Sequence, residues 1–560
     1  MLNHYMKKIP TYLFWGVLFI ICVLPIIRIL LEALWGVSTD NSVWFELMSD
    51  PLTYSALYNT VVTGVLSTIV ATVLGTFFAI VLSNSKIRFS AVWIFAIMVP
   101  LIIPPQITAL SWLQLFGPSS SLLQSINLAP AIGSPQPLYS AGGISLLMGI
   151  QHMPLVFLTV RTHIASIPSY LSEAASLSGA SPIKILLTII LPLLRSGIMA
   201  GAAIAFVAAI GNFGIPAILG IPVGYYVLST LIYQKMASFG GLMIAQVAIL
   251  SLLVILLSLI GIAFQRRLQR HSIYQLTVTS GCSVQIIFSK FITRLILVIM
   301  VCVLLFILVA PMAALIVSSF VPSVGIPLSW ETLSFHAYYE MLFTQPITLR
   351  AFKNSLLLTS TTVVILMFIS VPFVWILHHT RSRILQLSAS LFDLPYAIPG
   401  TVLAIACILL WANFIPNYSL LGTITIILLA YLARFFVIVI KPVQASFIQL
   451  DPALEEAARL SGASSWQSMH HIVRPIIAPS IFAGGLLVFL SALNELTVSA
   501  LLWSAGNETL GVLIFNFNDS GDSVLAAAIS VVITLFVLLV MFSTIIFGRY
   551  LPKGAIPWQA

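Results

Sequence analysis

Long apolar runs alternate with short polar stretches along the whole chain. The first six runs lie near residues 12–34, 55–83, 90–115, 143–163, 196–219 and 242–264. A polar stretch follows over 265–290, and six more runs lie near 292–319, 354–377, 385–411, 420–442, 479–503 and 523–547. Each run is close to or above the roughly 20 residues that a helix needs to cross a bilayer. Barrel strands would alternate apolar and polar positions in segments of about ten residues. The pattern therefore predicts an all-α membrane protein of twelve transmembrane helices, built as two homologous six-helix halves. The expected units are 1–264, a linker over 265–290, and 291–560.

Composition agrees. Of 560 residues, 60% are hydrophobic and 7% are charged, against roughly 25% charged in a soluble domain. Such a chain cannot clothe a surface facing water on all sides. The net charge of +9 would suit nucleic acid, but topology explains it better. With the N-terminus in the cytoplasm, 19 of the 24 Lys and Arg fall inside, Lys235, Arg350 and Lys353 fall outside, and Arg28 and Arg434 lie within spans. This bias is the positive-inside pattern. It predicts a multi-pass membrane protein with both termini cytoplasmic, whose medium is lipid and not nucleic acid. Lys7 and Lys8 before an apolar run resemble a signal peptide, but the run continues to Leu31 without a small-residue cleavage site. An uncleaved first span is expected. Cys22, Cys282, Cys302 and Cys407 show no metal-like or redox-like spacing.

The halves repeat one another in detail. Glu173-Ala174-Ala175, then Gly179, then Pro192, is matched by Glu456-Ala457-Ala458, Gly462 and Pro475, each 283 positions later. Asn59-Thr60 parallels Asn354-Ser355, and Pro100 and Pro104 parallel Pro395 and Pro399, at an offset of 295. The difference places about twelve extra residues in the first half, most simply between Gly117 and Gly142. Duplication in the same orientation implies a pseudo-two-fold axis along the membrane normal.

The repeated Glu-Ala-Ala stretch is a polar insert in an apolar chain. Asp451-Pro452 is a helix start, an N-capping carboxylate followed by proline at the first helical position, and Pro168-Ser169 does similar work in the first copy. Alanines give a low, close-packing face. Gly179 and Gly462 are expected at a sharp turn where a side chain would clash. The insert reads as a small knuckle able to lie in a groove on another protein. The bland alternative is a linker that happens to be helical, but two copies with the same Glu, Gly and Pro spacing weigh against it.

Glu-Ala-Ala, Gly and the closing Ile-x-Leu-Pro resemble the cytoplasmic loop motif of permeases in binding-protein-dependent ABC importers. The second copy departs from it, ending Ile472-Val473-Arg474-Pro475 with Arg where Leu is usual. The resemblance covers nearly the whole chain, as two permease units fused, and implies a place in the bacterial plasma (inner) membrane. It implies that Glu173, Ala174, Ala175, Gly179, Glu456, Ala457, Ala458 and Gly462 contact a cytoplasmic ABC ATPase dimer, and that an extracytoplasmic solute-binding protein delivers the solute. The chain has no Gly-Lys pair and hence no phosphate-binding loop. It is expected to be no enzyme and to hold no cofactor, with ATP used by the partner. A narrower resemblance, through Gly211-Asn212-Phe213-Gly214-Ile215-Pro216 and Asn494-Glu495-Leu496-Thr497, is to the fused ferric-iron permeases. It implies iron transport. Thiamine, aminoalkylphosphonate and polyamine permeases share parts of this pattern and stand as alternatives.

Ionisable groups inside spans are functional candidates. Asn212, Asp393, Asn494 and Glu495 are candidate pathway residues, with Asn212 and Glu495 near the outer third of the fifth spans. The opposing reading pairs a carboxylate with Arg434 inside the bundle. Pro104 and Pro399 interrupt the third spans, as a gate or as a packing kink. The nine histidines show no ligand spacing, and no metal site is assigned. Outer-loop acids, among them Asp50, Glu340 and Glu508, read as solvated groups or as docking points for the binding protein. An ion-coupled secondary transporter is the alternative class. It would want several buried carboxylates and would need no repeated knuckle.

Overall fold

The computed structural model describes residues 9–39, 41–83, 87, 89–131, 133–238, 243–270, 289–380, 382–412, 419–493 and 495–547. Within them nine helices are long and apolar enough to cross a membrane, and four further helix pairs pass the same test but are bent at a short break. Each of the twelve expected spans finds its counterpart among these thirteen. The additional one is Gly214–Val223 with Leu228–Ala237, bent by 70°. The expected linker lies for the most part outside the described residues, at 271–288.

Two features differ from the sequence expectation. The fifth spans run Pro182–Ile210 and Trp466–Leu493, about a dozen residues earlier than apolarity alone placed them. The helix that follows each Gly179 or Gly462 turn is continuous with the span, through a wider π-type turn at Leu186–Ile190 and Met469–Val473. Pro192 and Pro475 then sit inside this continuous rod, each near the start of the α-helical part. The third spans are broken outright, by 98° between Ser90–Ile102 and Pro105–Leu115, and by 113° between Arg383–Ala397 and Gly400–Trp411. Proline has no N–H to continue the ladder and disfavours helix in the residue before it. Ile103 and Ile398 are accordingly extended, at ψ 130° and 139°.

Within each half the second, fourth and fifth spans pack closely: Pro51–Leu82, Ala141–Ala165 and Leu191–Ile210 in the first, Pro346–His379, Ile424–Ile448 and Arg474–Leu493 in the second. Small residues let the backbones approach, as membrane helices require. A methyl on Gly75 would lie 2.7 Å from Val156 Cβ, and one on Gly484 would lie 2.9 Å from Val439 Cα.

The first span of each half crosses to the other. Leu24–Thr39 packs on Gly400–Trp411 of the second half as well as on Met243–Arg270 of its own. Reciprocally, Ala310–Ser319 packs on Pro105–Leu115 of the first half and on Ser523–Phe547 of its own. Polar ties fix the exchange: Trp15 Nε1 donates to Ser388 Oγ at 2.7 Å, and Ser318 Oγ donates to Gln114 Oε1 at 2.8 Å. The short helix Ser121–Ser125, in the stretch where the first half is longer, receives hydrogen bonds from Gly325 N and Leu328 N.

Candidate functional site

The repeated motif folds the same way twice at one end of the bundle. Ser169–Leu177 and Pro452–Leu460 are nine-residue helices. Each ends in the same three backbone bonds. Ser178, Gly179 and Ala180 donate to Ala174, Ser176 and Ala175, and Ser461, Gly462 and Ala463 donate to Ala457, Arg459 and Ala458, all at 3.0 Å. Both glycines have φ of +82°. Nothing lies within 4 Å of a methyl built on either. The glycine is needed for its left-handed backbone and not, as the sequence suggested, to avoid a clash.

Glu173, Ala174, Glu456 and Ala457 are exposed, whereas Ala175 is half-buried and Ala458 buried. The first alanine of each pair thus faces outward and the second seats the helix on the bundle. Sequence reasoning missed Leu177 and Leu460, each 90% exposed at matched positions at the helix tip. The repeat offset of 283 held that signal. Among the described residues the second copy alone carries a charged tie: His379 Nε2 meets Glu455 Oε2 at 2.9 Å, and Arg459 lies 3.5 Å from the same oxygen.

The second constellation braces the proline breaks. In the first half Gln151 Nε2 donates to Ile103 O, and Asn212 Nδ2 donates to Gln151 Oε1, both at 3.4 Å. Asn212 Oδ1 accepts from Ile215 N at 3.2 Å. In the second half Arg434 Nη1 donates to Ile398 O at 3.4 Å, Arg434 Nε lies 3.5 Å from Glu495 Oε2, and Glu495 Oε1 accepts from Val498 N at 3.0 Å. Thr497 also donates to Glu495. The two sets correspond residue by residue. Carbonyls freed by the breaks at Pro104 and Pro399 are thus capped by side chains from the fourth spans, as a break at membrane depth requires. Gln151 is a site residue the sequence reading missed, although it stands 283 positions before Arg434.

The elements carrying both braces meet between the halves. A methyl on Gly211 would touch Pro399 Cα at 3.8 Å, one on Gly511 would lie 3.3 Å from Gln106 Nε2, and the rings of Phe213 and Phe515 are 6.1 Å apart. Asn212 and Glu495 do not lie within the fifth spans. They follow the helix ends at Ile210 and Leu493, in the turns into the next short helices. Asn494 lies outside the described residues. Asp393 does not join this cluster. It pairs with Lys441 Nζ at 2.6 Å and is 38% exposed, towards the motif end of the bundle.

Away from the motif end, Glu508 is no solvated acid. Its side chain is 3% exposed and takes two hydrogen bonds from Arg350, at 2.8 and 3.0 Å. Burial pushes its carboxyl up, but Arg350 and the backbone N–H of Gly506 outweigh it and hold the group below its ordinary range. Asp50 caps Pro51–Leu82 through Leu52 N and lies 3.6 Å from Lys235. Among the described residues no three His, Cys, Asp or Glu side chains gather to hold a metal ion.

Residues 71–274 and 351–556, well over half of the chain, match the family described as the binding-protein-dependent transport system inner membrane component. The chain belongs to this family. This permease carries the family's domain twice, and it is the permease subunit of an ABC importer; the family is one of transport proteins and not an enzyme class. "Probable ABC transporter permease protein y4fN" of Sinorhizobium fredii is 25% identical over 91% of this chain and 90% of its own. The Fe(3+)-transport system permease protein FbpB 2 of Haemophilus influenzae is 24% identical over 93% of this chain and 96% of its own. The sulfate transport system permease protein CysT of Escherichia coli is 30% identical over 38% of this chain and 80% of its own.

Proposed function

We propose that this permease carries ferric iron across the bacterial inner membrane, driven by a separate cytoplasmic ABC ATPase dimer that hydrolyses ATP and supplied by an extracytoplasmic solute-binding protein. The motif helices face the cytoplasm in this reading, with both termini on the same side. Glu173, Ala174, Glu456 and Ala457 present the docking surface, Leu177 and Leu460 are its apolar tips, and Gly179 and Gly462 set its angle. ATP-driven closure of the partner moves both motif helices. Each continuous rod, Pro182–Ile210 and Trp466–Leu493, carries that movement to the brace at its far end. The braces at Pro104 and Pro399, with Asn212 and Glu495, then line the opened path.

The observation that carries the choice of iron is the extent of likeness to a ferric permease, over nearly the full length of both chains. Carboxylate and amide oxygens at the braces suit a hard cation in transit. A second reading, an oxyanion, is favoured by Arg434 at the break and by the 30% identity to a sulfate permease over one half.

The test is uptake of radiolabelled iron and sulfate by proteoliposomes holding the permease with the ATPase and binding protein that copurify with it. Iron uptake that needs ATP, without sulfate uptake, is expected; sulfate uptake without iron would overturn the choice. Glu456→Lys with Leu460→Asp is expected to abolish copurification of the ATPase while leaving the chain folded. Intact copurification would sink the docking assignment.

A further inference from the structure

A cavity of about 410 Å³ opens near the motif end of the second half, between the ends of Pro346–His379 and Ile424–Ile448 and the helix Arg383–Leu391. Its walls are of two kinds. Ile440 and Phe447 are apolar, whereas His378, Gln444 and the Asp393–Lys441 pair are polar. The pair is accessible, with Asp393 38% and Lys441 53% exposed. The first half has no such lining, because the matched positions hold Met98 and Leu158, packed into its core. The polar lining is therefore a feature of the second half and not of the repeat.

Its depth in the membrane follows from the helix Arg383–Leu391. Ile384, Leu387 and Leu391 are 78, 69 and 39% exposed and share one face at helical spacing. Its other face turns Gln386 and Ser390 to the cavity. The 113° bend turns Arg383–Ala397, which includes this helix, out of line with Gly400–Trp411, and an exposed apolar face opposite a polar one seats such an arm in the membrane interface, its apolar side in the acyl chains. The cavity is then at headgroup level.

We propose that this cavity binds the ethanolamine phosphate headgroup of a membrane lipid. A bare anion would meet Lys441 but be repelled by Asp393, and a bare cation the reverse. A zwitterion satisfies both: its phosphate accepts from Lys441, His378 and Gln444, and its primary ammonium donates to Asp393. A quaternary ammonium has no N–H to donate there. The apolar walls take the first carbons of the acyl chains. The occupant would brace the helix ends beside the second motif helix, since His379, adjacent to His378, bonds Glu455 of that helix.

The test needs neither the ATPase nor the solute, so its outcome is independent of the transport reading. The full chain, stripped of lipid in detergent, is titrated with dioleoyl phosphatidylethanolamine, phosphatidylcholine or phosphatidylglycerol, and binding is read by native mass spectrometry. Phosphatidylethanolamine is expected to bind at least tenfold tighter than the other two, and Asp393→Asn with Lys441→Gln to erase that preference. Equal binding of the three lipids, a preference for phosphatidylglycerol, or a preference that survives in the variant would each overturn the proposal. Should the double variant not fold, Asp393→Asn alone removes the ammonium's partner and is expected to level phosphatidylethanolamine with phosphatidylcholine. Displacement of the lipid by an equal concentration of soluble phosphoethanolamine would overturn the lipid as occupant; its retention supports it.

Discussion

In the first half, Gln151 and Asn212 brace the proline break with neutral groups; in the second, Arg434 and Glu495 brace it with charges at the same positions. The backbone being braced is the same: Pro104 and Pro399 have φ, ψ of −55°, 142° and −52°, 141°. A neutral pair therefore suffices to cap the freed carbonyl. Placing an ion pair there, with side chains only 18 and 10% exposed, incurs a desolvation penalty that the neutral pair avoids. The comparison teaches that capping the freed carbonyl does not by itself call for charges; the proposed function gives them a use, as groups lining the solute's path.

The packing around the breaks is asymmetric in a complementary way. Pro105 faces Gly214 in the first half, where a methyl on the glycine would lie 2.9 Å from Pro105 Cβ. In the second half the small residue is on the other side: Gly400 faces Thr497 and Arg434, and a methyl on Gly400 would collide with Thr497. Each half leaves room for one side chain at this crossing and places it on a different strand of the contact.

The largest effect is expected from breaking the charged brace. Glu495→Ala leaves Arg434 half-desolvated and is expected to lower stability by about 3 kcal/mol, the lower end for a buried pair that loses one partner. Asn212→Ala in the neutral brace is expected to lower it by about 1 kcal/mol. Transplanting the first half's residues, Arg434→Gln with Glu495→Asn, is expected to recover most of the loss while transport falls. Denaturant unfolding in detergent and uptake in proteoliposomes read the two. A transplant that transports normally would show the charges to be idle.

A smaller effect tests the crossing. Gly400→Ala is expected to cost about 1–3 kcal/mol through overpacking, and Thr497→Gly in the same chain to return much of it. A double-mutant cycle measures that coupling; strict additivity would mean that the two residues do not share the space.

The smallest concerns the motif helices. Replacing Glu455 by Ser, the residue at the matching position 172, removes the tie to His379 and Arg459 from the second copy only. Being partly exposed, it is expected to cost less than about 1 kcal/mol, read as a small shift in thermal midpoint. A drop of several kcal/mol would mean that the second motif helix depends on this tie for its position.

Much of this was legible in the chain itself. Apolar runs gave the spans, since only a helix of that length satisfies its backbone in lipid. The motif spacing gave both knuckles, and Pro104 and Pro399 gave both breaks, because a missing N–H is a local fact. Other features were not local. Nothing near Leu24–Thr39 or Ala310–Ser319 says that each packs on the opposite half. Glu508 looked like any loop acid until Arg350, 158 positions away, closed on it. Asp393 and Glu495 looked alike in sequence, and tertiary packing sent one to Lys441 at the ends of Pro346–His379 and Ile424–Ile448 and the other to Arg434 between the halves. Chain chemistry sets which groups must find partners away from water, whereas the partner each one finds depends on which helices the fold brings side by side.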